Sequence, residues 1–95
     1  MKNIVAKIFK RVTSHIGKVY AVTTGDYVGE MFVCVDEAED IIKFLSIPKN
    51  INRYVPKEKF EFGMNNDIIE YVDTLPDEVF DVVKAQFIKN EDSHN

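Results

Sequence analysis

The stretch Val19-Tyr-Ala-Val-Thr-Thr-Gly-Asp-Tyr-Val-Gly-Glu-Met-Phe-Val-Cys-Val35 sets two β-type runs on either side of Gly25-Asp26, and both runs are apolar at odd and even positions alike. Successive side chains of a strand point to opposite faces, so a hairpin with one wet face needs apolar residues only at alternate positions. This one needs cover on both sides. A two-residue loop with glycine first suits a type II′ turn, because glycine accepts positive φ without a Cβ clash. Such a turn predicts the pairs Thr24 with Tyr27, Val22 with Gly29, Tyr20 with Met31 and Lys18 with Val33. One face then carries Tyr20, Val22, Tyr27, Met31, Val33 and Val35. The other carries Val19, Ala21, Val28, Phe32 and Cys34, interrupted by Thr23 and Glu30.

The flanking segments are read as the cover. Ile4, Val5, Ile8, Phe9, Val12 and Ile16 recur at helical spacing and predict a helix over 3–16 with Gly17 as its C-cap; Lys7, Lys10 and Arg11 lie on its opposite face. Residues 41–47 fit either a capped helix or a third strand; the β-branched content and Pro48 favour the strand. Residues 48–56, bracketed by prolines and rich in Asn, read as connection. Residues 57–66 fit a short helix or one arm of a hairpin, and the helix is preferred, followed by a strand at 68–73. Thr74-Leu-Pro-Asp77 has the form of a capping box opening a C-terminal helix with Val79, Phe80, Val82, Val83 and Phe87 on its apolar face. Residues 91–95 read as a disordered tail.

These elements predict an α+β fold: a small single domain over residues 1–90, with an antiparallel three- to four-stranded sheet and the N- and C-terminal helices packed on it. If both terminal helices share one face, the other is covered by a segment such as 48–66, by a second copy of the chain, or by a partner. At 45% hydrophobic and 29% charged, with no apolar run near the roughly 18 residues a span requires, the chain is expected to be free of membrane. Lysines interrupt the first apolar stretch, so no secretory signal is expected, and a single cysteine points to a reducing, cytoplasmic setting. Lysine far outnumbers arginine and alanine is scarce, the composition of an AT-rich coding sequence such as that of some bacteria and bacteriophages.

Chemical motifs are scarce. Cys34, His15 and His94 are too scattered for a zinc site, and Asp36-Glu-Ala-Glu-Asp40 lacks the alternating oxygens and central glycine of a calcium loop, so neither metal nor cofactor is expected. Cys34 sits in an apolar run and reads as a core residue rather than a nucleophile paired with His15. No Walker, nucleophile-elbow or dinucleotide motif occurs, so no catalytic residues are assigned.

Charge is unevenly distributed. Residues 1–25 hold five bases and no acid, whereas residues 26–95 hold all 16 acids against seven bases, a net −9. A basic element docked on an acidic body explains this without any partner. By elimination, the expected function is that of a small accessory or regulatory protein that binds another protein or a second copy of itself, without catalysis. Tyr20, Tyr27, Met31 and Phe32 are the candidate contact residues. The alternative is a nucleic-acid-binding module using the basic segment 2–18, with Lys7, Lys10, Arg11 and Lys18 on phosphates and hairpin aromatics stacking on bases.

Overall fold

A computed structural model describes residues 14–93 of the protein. Five strands and two helices follow one another as β1 (Lys18–Val22), β2 (Met31–Glu37), β3 (Ile41–Ile47), β4 (Ile51–Pro56), α1 (Lys57–Asn65), β5 (Ile69–Thr74) and α2 (Asp77–Asp92). All strand pairs are antiparallel and the sheet order is β4-β3-β2-β1-β5, so the last strand returns to pair with the first.

Both faces of the sheet are covered, each by its own helix. On one side Val19, Val33, Val35 and Leu45 pack against Val83 and Phe87 of α2, with Leu75 and Phe80 at the margin. On the other, Tyr20, Phe32, Cys34, Ile42 and Phe44 pack against Phe60 of α1. This resolves the two-sided hairpin: α1, inserted between β4 and β5, supplies the second layer. Gly63 lets α1 lie close, since a Cβ there would stand 2.5 Å from Ile69 Cδ1.

The expected strand at 41–47, short helix near 57–66, strand near 68–73 and C-terminal helix are all present. Four readings are corrected. First, β1 and β2 are joined by an eight-residue loop, 23–30, rather than a two-residue turn, and the register is Tyr20 with Phe32 and Val19 with Val33. The expected register differs by one residue, and because the side-chain period is two, that slip exchanges which faces of the strands combine. The observed register gathers the aromatics beneath α1 and the aliphatics beneath α2.

Second, residues 51–56 form a fifth strand instead of connection, so the sheet exceeds the three to four strands expected. Its proline and asparagine are tolerated because β4 is an edge: Pro56 closes the strand, and Asn52 reaches α2 by donating from Nδ2 to the Phe87 carbonyl at 3.0 Å. Third, the capping box does not form. Thr74 ends β5 with its hydroxyl 2.6 Å from that of Tyr71, and α2 begins after Pro76 with no side-chain cap. Asp77 and Glu78 still occupy the first turn, where the helix dipole favours them.

Fourth, the expected apolar face of α2 is narrower than predicted. Phe80, Val83 and Phe87 face the sheet, while Val79 and Val82 are exposed.

Residues 3–13 of the expected N-terminal helix lie outside the described residues. Ser14–Ile16 at its end are not helical and lead into a turn at Gly17. Gly17, with φ +85°, donates its N–H to the Cys34 carbonyl and accepts from the Leu75 N–H, both at 2.8 Å. It thereby ties the start of β1 to β2 and to the β5–α2 link. At its other end α2 runs through Asp92. Among the described residues no helix is long and apolar enough to cross a membrane.

Candidate functional site

Of the four residues expected to meet a partner, Tyr20 and Phe32 are buried beneath α1, whereas Tyr27 and Met31 are exposed. Lys18 is half-buried at the start of β1, and Lys7, Lys10 and Arg11 lie outside the described residues. The two buried rings belong to an aromatic cluster centred on Phe60, whose centroid is 5.0 Å from that of Tyr20, edge-on, and 5.4 Å from that of Phe44, tilted.

Two polar clusters sit at opposite ends of this aromatic layer. His15 packs edge-on to Phe60 at 4.9 Å, and its Nδ1 lies 2.7 Å from the Tyr20 hydroxyl, while Nε2 faces Glu37 at 4.0 Å. Burial pulls the imidazole below its ordinary value against the opposing effect of Glu37. Burial likewise pushes the Tyr20 phenol upward and the Cys34 thiol up to about 12. Cys34 is fully enclosed, its sulfur donating to the Asp36 carbonyl at 3.6 Å. A thiol so held is a packing group, not a thiolate.

The second cluster anchors the 23–30 loop. Glu30 is only 4% exposed and accepts from the fully buried Ser46 hydroxyl; Lys49 Nζ lies 3.1 Å and Arg53 Nη2 3.4 Å from its carboxylate. Burial alone would push this carboxyl up, but the Ser46 hydroxyl and the two cations hold it below the usual carboxylate value. The Arg53 guanidinium lies 4.9 Å from the centroid of the Tyr27 ring, which in turn packs against Phe32. Gly25 and Gly29, both near φ +90°, supply the reversals that bring the loop back over the sheet. In the sequence Glu30 only interrupts an apolar face; its partners, 16 and more residues away, carry no local signal.

Between β4 and the end of α2, a cleft of about 540 Å³ is bordered by Asn50, Asn52 and Asn90. These amides are engaged with one another: Asn90 Nδ2 donates to both Asn50 Oδ1 and Asn52 Oδ1 at 3.1 Å, and Gln86 donates to Asn90 Oδ1 at 2.9 Å. They fasten the helix to the edge strand. Among the described residues, no group of three or more His, Cys, Asp or Glu is placed to hold a metal ion.

The least satisfied surface lies along the opposite edge. From Asp67 to Val83 the chain has six acids, Asp67, Glu70, Asp73, Asp77, Glu78 and Asp81, and no lysine or arginine. All six are exposed, and among the described residues none is within ion-pair distance of a base. Interleaved with them are four exposed large apolar side chains: Tyr71 at 51%, Val72, Val79 and Val82 at 69%. The β1–β5 register passes from Val19–Asp73 to Tyr20–Tyr71, leaving Val72 as an extra residue on the edge strand.

Topology leaves this region uncovered on the α2 side. That helix lies chiefly over β2, β3 and β4 and meets β1 at Val19, so among the described residues no helix lies on that face of β5 or of the Ala21 end of β1. Cross-strand pairing then extends the surface inward through the row Glu70, Ala21, Met31, Ile47, with Met31 and Ile47 both exposed. The acidic run was readable as charge; that the valines within it stay outside the core was not, because the helical pattern assigned Val79 and Val82 inward. In comparisons with known proteins, the chain matches no family model, no curated protein and no solved structure.

Proposed function

We propose that the protein acts by binding another protein, without catalysis, and that the surface formed by β5, the start of α2 and the Met31 row receives the partner. The observation that carries this reading is the run of six acids along β5 and the first turns of α2, none within ion-pair distance of a base among the described residues, interleaved with four exposed large apolar side chains. Contiguous exposed apolar area marks interaction surfaces, and a field of one sign orients an approaching partner of the other sign. The partner therefore presents a basic, partly apolar patch. Burial of Cys34 and Ser46 and the pairing of His15 with Tyr20 support a role without a nucleophile. The lone enclosed thiol fits a reducing, cytoplasmic compartment.

In-cell photo-crosslinking tests the reading. A photoreactive residue at Val72 is expected to capture one discrete basic protein, with yield falling when Glu70 and Asp73 are changed to Lys; the same residue at exposed Lys59 on α1 is the control. Equal capture at both positions, or a yield unmoved by the charge reversal, would refute it.

A further inference from the structure

Resting on that reading, we propose that the acidic edge is also the docking site of this chain's own basic N-terminal segment, residues 2–11, which competes in cis with the basic partner. Three observations support this occupant. The first is where the segment joins the described structure. Gly17 accepts from the Leu75 N–H at 2.8 Å, and Lys18 pairs with Thr74, so the chain enters β1 one strand spacing from the end of β5. Ser14 and His15 lie on the α1 face, Ser14 Oγ donating to Glu37 at 3.3 Å and His15 packing on Tyr20, whose ring is 6.1 Å from that of Tyr71 on the edge strand.

The second is reach. At roughly 3.3–3.6 Å per residue at most, Lys10 and Arg11 stand within about 15 Å of Ser14 and Lys7 within about 25 Å, while a six-residue strand is about 20 Å long. Counted from Ser14 beside Glu37, that reach brings the bases to the Thr74 end of β5 and to the start of α2. The third is charge. Lys2, Lys7, Lys10 and Arg11 form a segment with no acid, and the edge from Asp67 to Val83 has acids and no base. The apolar stripe Ile4, Val5, Ile8 and Phe9 matches the exposed Tyr71, Val72, Val79 and Val82.

A second copy of the chain pairing edge to edge is the poorer occupant, since it would set Glu70 and Asp73 of one copy against those of the other. A tethered segment also has the advantage of an effective concentration in the millimolar range for a short linker. A basic partner must then displace it, and the strength of the cis contact sets the partner's apparent affinity.

The test uses the full chain with the photoreactive residue at Val72, purified and irradiated alone. The expected product is a monomer-mass species whose crosslinked peptide maps to residues 2–11, independent of protein concentration and reduced at least fivefold in the Lys7→Glu, Lys10→Glu, Arg11→Glu variant. In cells, the same triple variant should raise partner capture at Val72 severalfold. Absence of the cis product, or a product only at dimer mass, would overturn the inference while leaving partner capture, and so the function proposed above, standing. Loss of partner capture with the cis product retained would instead remove the functional reading alone.

Discussion

The two faces of the sheet are built from different materials. Beneath α2 the core is aliphatic, Val19, Val33, Val35, Leu45 and Val83 with Phe87 at one end, and the helix covering it has sixteen residues and three large inward side chains. Beneath α1 the core is aromatic, and a helix of nine residues with one principal ring, Phe60, holds it. Among the described residues the buried titratable groups, Tyr20, Glu30 and Cys34, are on this second face or at its margin. Aliphatic packing is indifferent to the angle between neighbours, whereas rings meet edge-on at set distances and leave gaps at their margins into which polar groups fit. The α1 side is thus where the chain's stability responds to single substitutions and to pH, and the α2 side is the inert backing.

The sharpest way to break this contrast is to remove one anchor from each helix. Phe60→Ala should cost about 3–5 kcal/mol and free α1, whose amides should lose hydrogen-exchange protection ahead of the sheet. Val83→Ala should cost about 1–3 kcal/mol and leave α2 docked through Phe80 and Phe87. Equal losses, or early exchange in α2 instead, would show the two layers to be equivalent.

Glu30 offers a smaller effect with a pH signature. Glu30→Gln should cost about 1–3 kcal/mol at neutral pH, because Ser46, Arg53 and Lys49 lose a charged acceptor while the partly exposed cations remain screened. The folded carboxyl lies below its ordinary value of 4.5, so its contribution is present above that pH and is lost as pH falls through the lower folded value. The gap in melting temperature between the wild type and the variant should therefore close on acidification. A constant gap from pH 7 to pH 3 would assign the loss to shape alone.

His15 should act in the same direction over a higher window and more weakly. Its folded value is depressed below 6.5, so the unfolded chain binds a proton first, and stability is lost as pH falls from 6.5 through the folded value. Glu37 and Glu61 oppose the shift, and Lys18 and Lys57 reinforce it. His15→Gln should flatten this part of the stability profile, read by urea denaturation at pH 7.5 and 5.5. Smallest of all is the response of Cys34. With its thiol raised to about 12 and no exposure, it should react with iodoacetamide only at the rate of opening, and Cys34→Ala should cost on the order of 1 kcal/mol.

Most of the elements were legible in the sequence because their signals are local: the apolar residues between Val79 and Phe87, the β-branched run at 41–47, Pro56 ahead of a helix. What was not legible depended on partners distant in the chain. Gly25-Asp26 satisfies the rule for a tight turn, yet Glu30 is drawn to Ser46, Lys49 and Arg53, and its burial holds the eight-residue loop and with it the one-residue register. β4 was hidden by its proline and asparagine, which are excluded from central strands but suit an edge. Tyr20 and Phe32 look like a stacking platform until α1 is placed over them. For the candidate surface, composition showed an acidic body; only the sheet order showed which acids share the β5 edge with Val72.

That sheet order also bears on how the chain is made. β2, β3 and β4 form a meander of neighbours that pair as they emerge, but the free side of β1 waits for β5, about fifty residues later in synthesis. Until residue 74 has left the ribosome, the backbone of Lys18–Val22 is open on one side and Tyr20 lacks Tyr71 as a neighbour. Translation therefore passes through a stage with an unpaired, apolar strand edge, which is a target for mispairing and for chaperones. A chain cut short before Ile69 remains at that stage permanently.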